Sequence, residues 1–446
     1  MVQTTSGARR TIRRSPVKNV MIMKLGEGMV DSPLLLNHVR GDALPNFTSE
    51  SSRVLNRIEV GAECADEDLA FEKAGPREKI FFNPAEMRVA IVTCGGLCPG
   101  LNNVIRSLVL ELYHNYGVRD ICGIPYGYQG MGESPLKPWT ALTPQNVDGI
   151  DRQGGSVLGC SRGTPSVERI VDFLSGQKID VLFTIGGDGT QRGALEISRE
   201  ARRRGLKIGV VGVPKTIDND VLYVDRSFGV TTAIDRARGV LDAAHAEARS
   251  YPNGVALVKL MGRDAGFIAA GATLASQQVN FVLIPELPFK VDGEGGFLVF
   301  LKERILKRRH ALIVVAEGAG QDLLVGNREV DASGNVLHKD IGLFLKERIA
   351  VYFSGENIPI SLKYIDPSYY IRSVAANTDD SKLCDLYARH AVHAAMSGRT
   401  DMIVSLRRQF VHVPMEMATA SRQRISLDSD MWRSVLSSTG QPANFG

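Results

Sequence analysis

Residues 181–190 read Val181-Leu182-Phe183-Thr184-Ile185-Gly186-Gly187-Asp188-Gly189-Thr190. The run from Val181 to Ile185 is short and almost wholly apolar, the pattern of a strand buried on both faces. It empties into a loop that sets one carboxylate among three glycines. Glycines let backbone N–H groups approach a phosphate closely. Carboxylate and phosphate repel each other, so Asp188 makes sense there if a divalent cation lies between them. The loop is not a Walker A motif, which needs a Lys after its last glycine, nor a dinucleotide fingerprint, whose glycines are spaced differently. The alternative is an Asp that caps the next helix.

Working outward, the same unit of apolar run, glycine-rich loop and helix-period segment recurs from about residue 88. Strands are expected at Arg88 to Thr93, Val181 to Ile185, Ile208 to Val213, Gly254 to Lys259, Phe281 to Ile284, Ala311 to Val315, Pro359 to Tyr364 and Met402 to Ser405. Such alternation predicts an α/β fold with parallel sheets, here two Rossmann-like lobes within 88–446 and a ligand crevice at the strands' carboxyl ends. Residues 1–87 lack the rhythm and read as an N-terminal extension, with polar turns and an acidic stretch from Glu63 to Asp68. The charge-rich helical pieces Leu195 to Arg204 and Leu301 to Arg309 interleave Glu196, Glu200 and Glu303 with their bases, which marks solvated faces rather than basic patches.

Two more strand-end loops carry chemistry. Thr93-Cys94-Gly95-Gly96-Leu97-Cys98-Pro99-Gly100 is a second candidate phosphate cradle, with Pro99 expected in the first turn of the following helix; a tight strand-to-helix turn without ligand is the alternative. Pro214-Lys215-Thr216-Ile217-Asp218-Asn219-Asp220 sets two carboxylates two residues apart beside Lys and Thr. That set suits phosphoryl transfer: one carboxylate takes a proton from an attacking hydroxyl, the other helps hold metal, and Lys offsets negative charge. A turn rich in Asp and Asn is the bland reading.

Composition narrows the field. The chain has 446 residues, room for two or three domains at about 150 residues each. Its 45 glycines are an excess over the usual ~7%. Lys and Arg total 53 against 49 Asp and Glu, a net +4, too weak a field to argue for nucleic acid or membrane binding. Six cysteines without CxxC spacing indicate a reducing compartment and no zinc site. The uncharged stretch Ala265 to Pro285 contains Ser276, Gln277, Gln278 and Asn280, and reads as a helix followed by a strand rather than a membrane span. No secretory signal is expected. Arg9, Arg10, Arg13, Arg14, Lys18 and Lys24 precede the first acid, Glu27; a short solvated tail on a cytoplasmic protein is expected, with an organellar transit peptide as the alternative.

Taken together, Gly95-Gly96 with Pro99-Gly100, Ser161-Arg162-Gly163, Gly186 to Thr190, Pro214 to Asp220, Met261-Gly262-Arg263, Ala316-Glu317-Gly318 and Tyr369-Tyr370-Ile371-Arg372 follow the order and rough spacing of 6-phosphofructokinases. The resemblance runs over residues 85–440. More narrowly, Lys259-Leu260-Met261-Gly262-Arg263 and Tyr364-Ile365-Asp366-Pro367-Ser368-Tyr369 resemble the ATP-dependent plant and trypanosomatid type. The resemblance implies the phosphofructokinase fold and transfer of the ATP γ-phosphoryl group to the C1 hydroxyl of fructose 6-phosphate, with magnesium. It implies Asp218 as catalytic base, Arg162 and Lys215 as stabilisers of charge on the transferring group, and Asp188 and Asp220 as the metal carboxylates. Gly95, Arg162, Gly163, Gly187, Asp188, Gly189 and Thr190 match nucleotide-binding positions. Thr216, Ile217, Asp218, Met261, Gly262, Arg263, Glu317, Tyr369, Tyr370, Ile371 and Arg372 match the sugar-phosphate site.

The resemblance also implies a glycolytic, allosteric homo-oligomer, a tetramer or dimer. Two donor-diagnostic positions disagree: pyrophosphate-using relatives carry Asp where this chain has Gly189, but Lys where it has Lys215. Gly189 weighs more, because an Asp there would project charge toward the space of a nucleotide's α-phosphate. Lys363 and Tyr369 stand where common bacterial members have Arg and His, and no Arg lies seven residues before Met261, which departs from their intersubunit phosphate contact. Glu286 occupies one position of the bacterial effector site. The other readings are a pyrophosphate-dependent enzyme, an NAD or lipid kinase with a GGDGT loop, and a catalytically inactive nucleotide-binding regulatory subunit.

Overall fold

The computed structural model describes residues 17–39, 41–57, 68–161, 163, 165–324 and 338–446. The basic residues Arg9, Arg10, Arg13 and Arg14, most of the acidic stretch from Glu63, Cys64 and Arg162 lie outside the described residues.

Two sheets organise the chain. The larger runs, edge to edge, Val17–Asn19, Asp68–Lys73, Phe410–Pro414, Met402–Leu406, Gly209–Pro214, Val181–Gly186, Arg88–Thr93, Asp120–Ile124 and Thr140–Ala141, with Arg53–Leu55 paired to Asp68–Lys73. Its five central strands, from Met402–Leu406 to Asp120–Ile124, are parallel. Every residue of Val181–Gly186 and of Gly209–Pro214 is buried, which is why both read as unbroken apolar runs: helices cover both faces of a parallel sheet. The smaller sheet, in the order Phe281–Leu283, His310–Ala316, Gly254–Leu260, Ser361–Ile365, is parallel throughout.

The expected strands are present within a residue or two. Missed were Asp120–Ile124, where Asp120 and Gly123 interrupt the apolar run, and the flanking strands Asp68–Lys73 and Phe410–Pro414. The extension is thus woven into the core, since Met23–Lys24 also pairs with Arg399–Thr400, while Val30–Asp31 pairs with Lys79–Ile80 within the extension. One further correction concerns Pro99. The helix Leu101–Leu110 starts two residues later, after Gly100 at φ 101°, where a Cβ would lie 2.5 Å from Cys384 Sγ.

Packing joins the lobes. Helix Val230–Ser250 buries Ala233, Ala237, Leu241, Ala244 and Ala248, a small-residue stripe at helical spacing that packs against helix Phe267–Ser276 and both long strands of the smaller sheet. A single apolar cluster contains Val181, Phe183 and Val213 of the large sheet together with Ala256, Val258 and Leu312 of the small one. Among the described residues no helix is long and apolar enough to cross a membrane, and the five described cysteines are free.

Candidate active site

Three neighbouring strands of the large sheet, Arg88–Thr93, Val181–Gly186 and Gly209–Pro214, set their following loops side by side, because parallel strands all end at the same edge. Backbone bonds tie these loops: Cys94 N–H donates to Ile185 O at 3.0 Å and Lys215 N–H to Gly186 O at 3.0 Å. Gln191 completes the join. Wholly buried, its amide donates to Gly186 O at 3.0 Å and to Val213 O at 3.3 Å, the last carbonyl of one strand and the last but one of its neighbour. Gly212 leaves room for it, since a Cβ there would meet Gln191 Oε1 at 2.1 Å.

The loops open into a cleft of about 560 Å³ whose opposite wall comes from the smaller sheet. Gly95, Gly163, Gly187, Asp188, Gly189, Thr190, Lys215, Thr216, Ile217, Asp218 and Asp220 line it from one side, Met261, Arg263, Glu317 and Arg372 from the other. Of the sequence-predicted residues, Ile371 is fully buried in the core, while Tyr369 and Tyr370 are 76% and 55% exposed and do not line the cleft. The Tyr369 ring instead lies 4.8 Å from the Arg372 guanidinium carbon. Gly262, at φ 134°, accepts the Gly318 N–H at 3.0 Å beneath Arg263.

Asp188 does not cap the following helix. Gly187 is the N-cap, and Asp188 is the first helical residue, paired with Arg192 one turn on. Its Oδ1 is buried without a hydrogen-bond partner. In the third loop Thr216 Oγ1 donates to Asp220 Oδ1 at 2.7 Å and accepts the Asp218 N–H at 3.1 Å, so the hydroxyl sets the loop's shape. Asn219, in the left-handed region at φ 56°, receives Ser227 N–H on its side chain at 2.8 Å. Lys215 is buried, its ammonium 2.6 Å from Gly96 O.

Asp218 accepts the Arg263 N–H on Oδ2 at 3.2 Å, while its Oδ1 is buried and unpaired. Burial first, then the neighbouring Asp220 and Glu317, push its carboxyl up to about 7, against the pull of the Arg263 N–H and Arg422. Burial raises Glu317 as well, opposed by Lys259, Arg263 and Arg372. Among the described residues no group of three or more His, Cys, Asp or Glu could hold a metal by itself. Magnesium does not require one, since it is held by one or two carboxylates together with substrate phosphates and waters. The unpaired Asp188 oxygen beside the glycine loop fits that donor set.

Several residues of the cleft were not anticipated: Tyr128, whose hydroxyl donates to Thr190 O at 2.7 Å, the 338–340 segment, and Arg422 from the C-terminal segment; nor was Gln191, buried behind the loop. Lys259, within a quoted motif but without an assigned role, bridges Asp340 at 2.8 Å and Asp366 at 2.9 Å. Glu286 accepts N–H groups of Gly266 and Ile425, and Lys363 is exposed, 4.0 Å from Glu247.

Two sheets whose parallel strands aim their carboxyl-end loops into one cleft, with Asp188, Asp218 and Asp220 on one wall and Arg263 and Arg372 beside Glu317 on the other, define a two-lobed α/β protein built to handle anionic ligands. The chain belongs to the phosphofructokinase family: the family model named Phosphofructokinase matches residues 88–395. It is 48% identical over 431 residues to an ATP-dependent 6-phosphofructokinase of Borreliella burgdorferi, covering 94% of this chain and 96% of that one. It is 45% identical over 442 residues to one of Amycolatopsis methanolica, covering 96% of each, and 44% identical over 409 residues to the chloroplastic ATP-dependent 6-phosphofructokinase 5 of Arabidopsis thaliana, covering 89% and 76%. The fold is similar to that of a pyrophosphate-dependent phosphofructokinase from Marinobacter aquaeolei, with TM-score 0.65, 20% identity and coverage of 80% and 93%. It is also similar to phosphofructokinase from Pichia pastoris, with TM-score 0.62, 21% identity and coverage of 79% and 38%.

Proposed function

We propose that this chain is an ATP-dependent 6-phosphofructokinase, transferring the γ-phosphoryl group of ATP to the C1 hydroxyl of fructose 6-phosphate to give fructose 1,6-bisphosphate and ADP. One observation carries the reading: Asp188, Lys215 and Asp218 share a cleft with Arg263, Glu317 and Arg372 from the smaller sheet's side, a donor side and an acceptor side within one space. The relatives at 44–48% identity that are named ATP-dependent 6-phosphofructokinase support the donor.

In this reading Asp218 takes the proton of the C1 hydroxyl as its oxygen attacks phosphorus. A base is most effective when its pKa lies near the working pH, and burial beside Asp220 moves Asp218 that way. Arg263 and Arg372 bind the sugar phosphate, Glu317 accepts sugar hydroxyls, and Thr216 with Ile217 shapes that side. The Gly95 and Gly187 to Thr190 backbone, with Gly163, takes the nucleotide. Lys215 and Arg162 meet charge on the transferring group, the role cations play in phosphoryl transfer. Asp188 and Asp220 would hold magnesium, which neutralises phosphate charge when bound. Gly189 leaves open space where a Cβ would have no neighbour within 4 Å, room that ATP needs.

The catalytic core is 88–446 with residues 1–87 as its extension, and the enzyme works as a cytoplasmic homo-oligomer, a dimer or tetramer. The test is a fructose 6-phosphate assay run with ATP and with pyrophosphate. Turnover with ATP is expected. Strong turnover with pyrophosphate alone identifies the other donor, and none with either donor identifies a regulatory subunit or a kinase for another acceptor.

A further inference from the structure

The cleft contains a cation from a part of the chain remote from every motif. Arg422 lies in the segment after the large sheet's last strand, a quarter exposed, and lines the cleft. Its guanidinium forms an ion pair with Asp264, the residue after Arg263, and Nη1 stands 4.0 Å from Asp220 Oδ2. The one group therefore faces acids on two loops: Asp220 follows a strand of the large sheet, Asp264 a strand of the small one.

The backbone around Arg422 is tied to the same two loops. Arg422 forms an antiparallel bridge with Val221. Gln423 N–H donates to Asp220 O at 2.8 Å, and its side chain donates to Val224 O at 3.1 Å. Two residues on, Ile425 N–H donates to Glu286 Oε1 at 2.9 Å, and the same carboxylate accepts Gly266 N–H at 3.0 Å. Residues 422–425 thus fasten the Asp218–Asp220 loop at one end and the Arg263–Gly266 loop at the other.

We propose that Arg422 is a positioning residue that clamps the two lobes' reactive loops together, holding Asp218 in line with the sugar phosphate that Arg263 binds. Asp218 and Arg263 meet through a 3.2 Å bond from backbone to carboxylate. The Arg422–Asp264 pair backs that bond one residue further along. Arginine suits the place because its planar fork can engage two carboxylates, whereas an ammonium is a point charge. The proposal rests on the reading of Asp218 as base in ATP-dependent transfer to fructose 6-phosphate.

The experiment is steady-state kinetics on Arg422→Gln, Arg422→Lys, Asp264→Asn and the double variant Arg422→Gln/Asp264→Asn, with Arg424→Gln as control and thermal unfolding measured for each. A displaced reacting group costs up to about 100-fold in rate. Arg422→Gln should lower kcat by about 10-fold or more while KM for ATP stays within about two-fold, and Arg422→Lys should recover part of the loss. The double variant should lose no more than the worse single variant, as expected of one shared contact. Arg424, which is exposed, should tolerate Gln. If Arg422→Gln does not fold, Asp264→Asn tests the same contact from its other side. Wild-type kcat in the Gln variant, additive losses, or a loss that Lys leaves unrelieved would each overturn the proposal. An inactive wild-type enzyme would instead overturn the underlying reading.

Discussion

The Asp218 carboxylate accepts the backbone N–H of Arg263 at 3.2 Å. The bond joins the loop after strand Gly209–Pro214 of one sheet to the loop after strand Gly254–Leu260 of the other. It sets the proposed base beside the arginine proposed to anchor the sugar phosphate, while leaving the second oxygen, Oδ1, buried and unpaired. A carboxylate oxygen kept from both water and protein partners is one that substrate can use.

Asp218→Ser should lower kcat by about 10²- to 10⁴-fold, the usual cost of losing a general base. KM for fructose 6-phosphate should move little, because Arg263 and Arg372 remain. Paired kcat and KM measurements decide this, and a near-normal kcat would remove Asp218 from the role.

Gly189→Asp should impair ATP far more than sugar. The new Cβ meets no protein atom within 4 Å, so the fold tolerates it, and the carboxylate repels the donor's phosphates at close range. KM for ATP should rise about 10-fold or more, the equivalent of about 1.4 kcal/mol. Equal losses for both substrates would contradict the account.

Gly318→Ala should destabilise the enzyme and weaken sugar-phosphate binding together. A Cβ at Gly318 would sit 1.8 Å from Arg263 O, so the loop must shift, at about 1–3 kcal/mol for such overpacking. A lower melting temperature with a raised KM for fructose 6-phosphate is expected; a lower melting temperature with unchanged KM would show that Arg263 holds its place regardless.

Mild acid should destabilise the fold through three buried histidines. Burial, assisted by nearby cations, pushes His390 down to about 4, His393 to about 3 and His412 to about 4. Unfolding restores each to about 6.5, so the unfolded chain takes up these protons first. Their contribution is complete well above pH 6.5 and declines as pH falls from there toward 4. The three together lose about 3 kcal/mol between pH 6.5 and 5.5. Scanning calorimetry across that range should show a falling melting temperature, and a flat one would refute the assignment of these groups as neutral in the fold.

The strand runs and the glycine loops were legible because their causes are local. A strand buried on both faces must be apolar along its length, and a loop that admits a phosphate must lack side chains. That is why Val181–Gly186 and the loop after it could be read from ten residues. The strand Asp120–Ile124 was not legible, since its pairing with Arg88–Thr93 supplies what its own composition lacks.

What local pattern cannot carry is proximity between distant segments. Glu72 of the extension sits buried against Arg77, Arg399 and His412, a cluster in which no member is remarkable alone. Gln191 follows a recognisable loop, yet only the register of two parallel strands turns its amide into their clasp. Arg422 belongs to no motif and reaches the cleft because the C-terminal segment crosses back over both lobes. Residue chemistry and spacing were sufficient for the family of reaction, and they pointed to Asp188, Asp218 and Asp220, which the fold brings to one cleft. The distances among those carboxylates, their protonation and the cations that hold them arose from long-range packing, because charge interactions depend on separation and burial rather than on position along the chain.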